Sequence, residues 1–415
     1  MRYGLIGEKL GHSFSKIIHE QLADYTYDLI PLTREELDTF MTEKKFSALN
    51  VTIPYKETVI PYLDEVDAHA QKIGAVNTIV NRGGKLKGYN TDFYGFRYML
   101  QNNGIDVAGK KALVLGKGGA SKAIIAVLEE LGASEILTVY YKENPATITY
   151  EECYKNHSDA EIIVNTTPVG MYPKSDDCPI DLSRFPDLKG VADVVYNPLR
   201  TQLILEAEKR GINAAGGLEM LVAQAKYAAE IFLDTQIDDA RIAEINTGLV
   251  KERSNLVLVG MSGCGKTTLG KLAAEKLGKT FVDTDEIIVE RIGMPISDFF
   301  AKEGEPAFRA IETEVQHEVS NLNNAVISTG GGIVKNPLNV EYLRRNGRTI
   351  WLKREGDLLQ SGHGRPLAPD QAATLKLYQE RIPLYTAAAE AVAENSGTLE
   401  EGLEAILAAY EKTLK

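Results

Sequence analysis

The stretch "GMSGCGKTT" at 260–268 has the residue types and spacing of a phosphate cradle. In the pattern G-x-x-x-x-G-K-[ST], glycine-rich backbone presents N–H groups to phosphates, the lysine reaches the β and γ groups, and the hydroxyl ligates Mg²⁺. Gly260, Gly263, Gly265 and Thr268 then form the cradle, with Lys266 for the transferring group and Thr267 for the metal. Downstream, "FVDTDE" carries Asp283 and Asp285 at i and i+2, which point the same way if the backbone is extended. One can then assist Mg²⁺ and the other an acceptor hydroxyl; the competing reading is helix N-capping. Arg309 and Glu312 in "EPAFRAIETE" have i,i+3 spacing, and "STGGGIV" supplies Gly330, Gly331 and Gly332.

A second constellation lies earlier. "GHSFS" puts Ser13 and Ser15 at a helix entrance, "NVTIPYK" offers Asn50, Thr52 and Lys56, "GAVNT" offers Asn77, and "GYNTD" offers Asn90, Thr91 and Asp92. Polar side chains at consecutive strand ends converge at one sheet edge, where open α/β sheets place their ligands. Lys56 beside Asp92 suits hydride chemistry, because a carbinol carbon gives up hydride only as its hydroxyl loses a proton. "LGKGGAS" adds Gly116, Gly118 and Gly119 between a strand and a helix, where backbone N–H groups can approach a pyrophosphate. Its third fingerprint position is Ser121 rather than glycine or alanine.

The elements that must position these residues read as strand–loop–helix units. Strands are expected at 2–7, 46–53, 75–81 and 85–90, and helices near 15–25, 34–44, 56–64 and 92–102. "KALVLGKGGASKAIIAVLEELGASEILTVYY" is a parallel βαβ unit, so a dinucleotide fold opens near Lys110; strands near 161–166 and 191–195 and a helix around 217–233 complete it. The polar stretch "DTQIDDARIAEINTGLVKERSN" has weak helical spacing and places a boundary around 248–254. "NLVLVG" is then the first strand of a further domain, and the phosphate loop follows it directly. A chain of 415 residues exceeds one ordinary core, which agrees with several α/β domains.

A net charge of −12 argues against a nucleic-acid or anionic-membrane surface while leaving room for a local basic pocket. Three cysteines are too few for a disulfide framework or a thiolate zinc site, no apolar run is long enough to span a membrane, and the N-terminus lacks a signal-peptide pattern. The expected setting is a reducing cytoplasm; oligomeric state is left open.

On the residues quoted above, together with "NTTPVGM" at 165–171, "DVVYNPLRT" at 193–201 and "GGLEMLVAQA" at 216–225, residues 1–245 resemble shikimate dehydrogenase. The resemblance implies a substrate-binding part (1–105 and 217–240) and a Rossmann-type NADP part (106–216) within residues 1–250, and reversible reduction of 3-dehydroshikimate to shikimate. It implies that Ser13, Ser15, Asn50, Thr52, Asn77, Asp92 and Gln224 hold substrate, that Lys56 and Asp92 are the catalytic pair, and that Gly116, Gly118, Gly119, Ala120, Lys142, Thr166 and Gly217 bind the cofactor. The family places an Asn-Arg pair after the second dinucleotide strand, whereas this chain reads "TVYYKENP". Lys142 can replace the arginine as a point charge for NADP, Glu143 can bind an unphosphorylated ribose of NAD, and Lys122 is another basic candidate.

Residues 254–415 resemble shikimate kinase, a P-loop fold with a parallel sheet. That resemblance implies ATP, Mg²⁺ and phosphoryl transfer to the 3-hydroxyl of shikimate, with Asp285 on the acceptor hydroxyl, Asp283 with Thr267 on the metal, Arg309, Gly331 and Arg381 on the carboxylate and ring, and Arg365 as a lid arginine. The segment "LLQSGHGRPLA" is shorter than the family's lid and has Gln360 and Ser361 where another basic residue is usual. The two resemblances name successive steps of aromatic amino-acid (chorismate) biosynthesis, so a bifunctional enzyme is expected. The alternatives are a quinate/shikimate dehydrogenase joined to a related polyol kinase, and a non-catalytic ligand-sensing regulator.

Overall fold

A computed structural model describes residues 2–11, 13–359, Leu367 and 370–414. The chain divides into two compact units, Met1–Asn246 and Thr247–Lys415, and the division falls inside the helix Ala240–Arg253. No described helix is long and apolar enough to cross a membrane.

The first unit holds two sheets. One has six strands in the order Tyr27–Pro31, Tyr3–Gly7, Ala48–Val51, Thr78–Arg82, Lys85–Tyr89 and Glu65–Val66. Tyr3–Gly7 runs parallel to both neighbours, while Thr78–Arg82 is antiparallel to both of its own. That reversal matters for the site: the start of Thr78–Arg82 lies at the same sheet edge as the ends of Tyr3–Gly7, Ala48–Val51 and Lys85–Tyr89, so Asn77, Thr52 and Asp92 share one edge. The other sheet is fully parallel, ordered Asn213–Ala215, Gly190–Asp193, Ile162–Asn165, Lys111–Leu115 and Glu135–Val139. Its central strands carry buried apolar runs at 112–115, 162–164 and 191–192, because helices cover both faces.

The expected helix over 56–64 does not form. Residues there make turns, a single 3₁₀ turn Ile60–Tyr62 and the short strand Glu65–Val66. Pro61 removes a helix donor, and Val59 and Ile60 are β-branched. The Lys56 carbonyl instead accepts from Val76 N (2.8 Å), tying the segment to the residue before Asn77.

Gly95 sets how closely the helices Thr91–Asn102 and Gly217–Leu233 approach. A Cβ there would stand 2.8 Å from the Met220 carbonyl oxygen and 2.8 Å from Gln224 Cβ. Helix propensity alone favours alanine over glycine by about 1 kcal/mol. Overpacking against fixed backbone opposes it by about 1–3 kcal/mol. Gly95→Ala is therefore expected to lower the thermal midpoint of the first unit, which differential scanning calorimetry reads directly.

The second unit is one parallel sheet ordered Thr280–Asp283, Ala325–Ser328, Asn255–Val259, Gly347–Lys353 and Ala391–Glu394. Asn255–Val259, buried along its whole length, is central, and the loop that follows it opens at the carboxyl edge of the sheet.

Candidate active sites

In the first unit Lys56 Nζ donates to Asp92 Oδ2 at 2.6 Å, and Asp92 is 8% exposed. Asp92 is held in the first turn of Thr91–Asn102, whose N-cap Asn90 accepts from Phe93 N and donates to the Ala75 carbonyl. Asn77 fastens the same turn, its Oδ1 accepting from Thr91 N at 2.7 Å. Thr91 Oγ1 reaches Gln224 Oε1 at 3.4 Å, which brings Asn77, Asp92, Gln224 and Lys56 into one constellation. Gln224 Nε2 is engaged by the Leu221 carbonyl at 2.9 Å.

Asn50 departs from the expected ligand-facing role. It is buried, its Oδ1 accepts from Tyr27 Oη at 2.7 Å, and its Nδ2 donates to the Asn77 carbonyl and to Thr78 Oγ1. Its amide is thus committed to positioning Asn77. Ser13 and Ser15 do flank a helix start, but the N-cap is Phe14 without a side-chain cap; Ser13 Oγ accepts from Ser15 N at 3.2 Å. Thr52 is half-buried at the end of its strand.

Behind Asn50 stands His19, which the sequence reading missed. Its ring lies 4.1 Å from that of Tyr27, its Nδ1 is 2.7 Å from Tyr25 Oη, and full burial pushes its pKa down from 6.5 to about 3. A group whose folded pKa is depressed below its unfolded value binds fewer protons when folded, so stability is lost as pH falls below about 6.5. The midpoint of the first unit should therefore drop on acidification from pH 7 to 5, and His19→Gln should flatten that dependence in a calorimetric pH series.

The dinucleotide turn abuts this constellation. Gly116 has φ +103°, and a Cβ there would lie 2.9 Å from Thr166 Oγ1, which itself donates to the Leu115 carbonyl at 2.6 Å. Gly118 caps the helix Gly119–Glu130, with Ala120 in its first turn; a Cβ at Gly118 would meet nothing within 4 Å, and one at Gly119 only Lys56 Cδ at 3.8 Å. That leaves open space at a helix N-terminus, which fits a pyrophosphate, directly beside Lys56. Ser121 folds back onto the Gly118 carbonyl (2.6 Å), so its hydroxyl takes no space from the cradle. Gly217 lies against the loop before it, where a Cβ would be 2.2 Å from the Val194 carbonyl oxygen. Lys142 is exposed beside Tyr141, and Lys122 is paired with Glu57 at 2.7 Å.

In the second unit, a cavity of about 500 Å³ is lined by Ser262, Gly263, Gly265, Lys266, Thr267 and Thr268, with Asp283, Asp285, Arg354 and Asn395 around it. Gly263 and Gly265 take φ +82° and +101°, which L side chains rarely adopt. Gly260 backs onto the Leu352 carbonyl, 2.6 Å from a hypothetical Cβ. Lys266 Nζ is folded onto the Gly260 and Met261 carbonyls, both at 2.9 Å. Thr267 Oγ1 donates to Asp283 Oδ2 at 2.8 Å, an oxygen-only pair that fits a hard cation such as Mg²⁺. Among the described residues no cluster of three or more His, Cys, Asp or Glu side chains is arranged to hold a metal.

The two aspartates are not on an extended face. Asp283 caps the helix Thr284–Ile292, accepting from Asp285 N, and Asp285 sits in its first turn. A second cavity of about 110 Å³ shares Ser262, Asp285 and Gly331 with the first and is closed by Arg309, Glu312 and Arg381. Asp285 thus lies on both. Burial, then the neighbouring Asp283, pushes its carboxyl up to about 6. Arg309 Nη1 pairs with Glu312 at 2.7 Å, and Arg381 Nη1 donates to the Gly331 carbonyl at 2.8 Å. The three glycines let the loop pass close to the site: a Cβ at Gly331 would be 2.9 Å from Ser262 N, one at Gly330 2.8 Å from Asp285 Oδ1, and one at Gly332 2.4 Å from the Arg309 guanidinium. Arg365, Gln360 and Ser361 lie outside the described residues. Arg354 and Asn395 escaped the sequence reading; Asn395 follows the strand Ala391–Glu394 at the same edge as the phosphate loop and donates to the Cys264 carbonyl at 2.7 Å.

An open dinucleotide cradle beside a buried lysine–carboxylate pair, then a P-loop cavity opening onto an arginine-lined pocket, define a nicotinamide-type oxidoreductase unit followed by a small-molecule kinase unit. The family models agree: that of the shikimate dehydrogenase substrate binding domain matches residues 5–79, and that of shikimate kinase matches residues 262–411. Shikimate dehydrogenase (NADP(+)) of Clostridium beijerinckii is 41% identical over 254 residues, covering 57% of this chain and 93% of the relative. Among solved structures, a chorismate mutase/shikimate 5-dehydrogenase fusion protein from Clostridium acetobutylicum matches with a TM-score of 0.56 and 36% identity, over 60% of this chain and 96% of its own. Shikimate 5-dehydrogenase from Thermus thermophilus in complex with NADP(H) and shikimate matches with a TM-score of 0.54 and 30% identity, over 59% of this chain and 98% of its own. The chain belongs to the shikimate dehydrogenase family and carries a shikimate kinase domain after it.

Proposed function

We propose that residues 1–250 reduce 3-dehydroshikimate to shikimate with NADPH and that residues 254–415 phosphorylate shikimate with ATP and Mg²⁺, as two consecutive steps of chorismate biosynthesis. The observation that carries this reading is that each unit places a deeply set acid–base group where a nucleotide cradle meets a polar pocket: Lys56–Asp92 beside Gly119, and Asp285 between two joined cavities.

In the first unit the nicotinamide supplies hydride. Lys56 gives a proton to the carbonyl oxygen as it becomes a hydroxyl, and Asp92 orients the ammonium. Ser13, Ser15, Thr52, Asn77 and Gln224 hold hydroxyls and carboxylate, with Asn50 acting through Asn77. Gly116, Gly118, Gly119, Ala120, Thr166 and Gly217 shape the cofactor cradle.

In the second unit Lys266 and the loop N–H groups hold the phosphates, and Thr267 and Asp283 hold Mg²⁺. Asp285 accepts the proton of the attacking hydroxyl. The planar forks of Arg309 and Arg381 suit the acceptor carboxylate, Gly331 lines the ring, and Arg365 is the lid arginine. The partners are small molecules, with no nucleic acid involved, and the chain works in the cytoplasm.

The two halves are tested separately on one purified preparation: shikimate-dependent reduction of NADP⁺, and shikimate-dependent release of ADP from ATP. Quinate in parallel tests the related-polyol reading. Activity in neither assay would leave only the ligand-sensing alternative.

A further inference from the structure

We propose that Tyr385, buried behind the acceptor pocket of the second unit, is a positioning residue for phosphoryl transfer: with Arg381 it fixes the Gly331–Gly332 peptide so that its carbonyl faces the helix and its N–H faces the acceptor. This rests on the kinase reading of that unit.

The placement comes from one helix face. Thr374, Leu377 and Arg381, on the helix Gln371–Ala388, line the second cavity at helical spacing, and Tyr385 lies one turn beyond Arg381 on the same face. Its ring stacks 5.7 Å from that of Trp351, and the residue is fully buried. Tyr385 Oη donates to the Gly331 carbonyl at 2.5 Å, and Arg381 Nη1 donates to the same oxygen at 2.8 Å. A carbonyl oxygen has two lone pairs, so both are taken. Burial pushes the phenol pKa up, which keeps the hydroxyl protonated and donating.

The glycines make such a clamp necessary. The Gly331 carbonyl and the Gly332 N–H belong to one trans peptide and therefore point opposite ways. Gly332 has φ −97°, and turning that peptide over would carry φ to about +80°, which glycine adopts about as readily as a negative value. The backbone alone thus leaves open which group the peptide presents to the cavity. All three glycines line that cavity, and among the described residues Gly332 N has no hydrogen-bond partner. With the carbonyl held on the helix side, the loop offers a donor, which suits an anionic acceptor molecule.

Arg381 supplies the second, independent observation. Its Nε is buried and has no partner among the described residues. With Nη1 on the carbonyl, the guanidinium edge that carries Nε is left for a two-point grip on a carboxylate. Without the tyrosine hydroxyl, the arginine alone would hold the peptide, and each could shift with the other.

The test is steady-state kinase kinetics of the full chain for the wild type and Tyr385→Phe, which removes the hydroxyl and keeps the ring on Trp351. KM for shikimate should rise about tenfold, with KM for ATP within about twofold and kcat within about threefold. Dehydrogenase activity of the same preparation standardises the amount of protein. Lost packing alone would lower the thermal midpoint without moving that one KM. An unchanged KM for shikimate, or equal rises for both substrates, would overturn the inference while leaving the kinase reading intact. If the variant does not fold, a crystal structure of the wild type with ADP, Mg²⁺ and shikimate decides. Gly332 N within about 3.2 Å of a shikimate oxygen supports the inference, and an N–H turned away from the ligand overturns it. No shikimate-dependent ADP release by the wild type would overturn both.

Discussion

Lys56→Ala is expected to lower dehydrogenase turnover by about 10²–10⁴, the usual worth of a positioned proton-transfer group. The loss should fall on kcat, with KM for shikimate and for the dinucleotide changed far less. A purely structural ion pair gives the opposite pattern. Removing one partner of a buried pair strands the other charge and destabilises by about 3–5 kcal/mol. It would also disturb the turn around Asp92 that holds Asn77 and Gln224, raising KM. The kinase activity of the same preparation is an internal standard for protein integrity. Near-normal kcat in a folded variant would remove Lys56 from the chemistry.

Asp285→Asn is expected to lower phosphoryl transfer by about 10²–10⁴ while raising the stability of the second unit. The two signs have one cause. Asp285 is deeply set beside Asp283 and Glu312, and its pKa, raised from 3.8 to about 6, means the charged form is disfavoured in the folded state. A carboxyl with a raised folded pKa costs stability above that pKa and ceases to do so as pH falls through it. An uncharged isostere relieves that cost at neutral pH, by an amount on the order of 1 kcal/mol. ATP affinity should be nearly unchanged, because the cradle from Gly260 to Thr268 is untouched. A variant that loses ATP binding, or that phosphorylates shikimate at the normal rate, would contradict the assigned role.

Chemical types were legible in the sequence where backbone geometry leaves little choice. The P-loop glycines sit at positive φ or against a carbonyl, so only glycine serves, and the pattern is visible without a structure. Lys56 and Asp92 were legible because each follows a strand, and their two strands, both antiparallel to Thr78–Arg82 between them, end at one edge of the sheet. Orientation was not legible. Asn50 shares a strand face with Thr52 by the two-residue period, yet its amide is taken up by Tyr27 and Thr78 from other strands, partners that its own spacing does not reveal. Asp283 and Asp285 have a spacing compatible with either an extended edge or a helix cap; the capping bond to Asp285 N decided for the cap. The segment 56–64 had helical composition but carried Pro61 in its middle. His19 acts through side chains of other elements, the Tyr25–Tyr27–Asn50 cluster, and no local spacing announces such contacts.

The fusion equalises the amounts of the two activities, and consecutive chemistry on one carbocycle needs no direct passage between them. The most direct measurement is a time course on the purified chain given 3-dehydroshikimate, NADPH, ATP and Mg²⁺, following nicotinamide oxidation and ADP release together. Both products should reach the same final amount, with ADP release absent until NADPH is added. Nicotinamide oxidation with no ADP, or ADP release that ignores NADPH, would contradict two linked activities in one polypeptide.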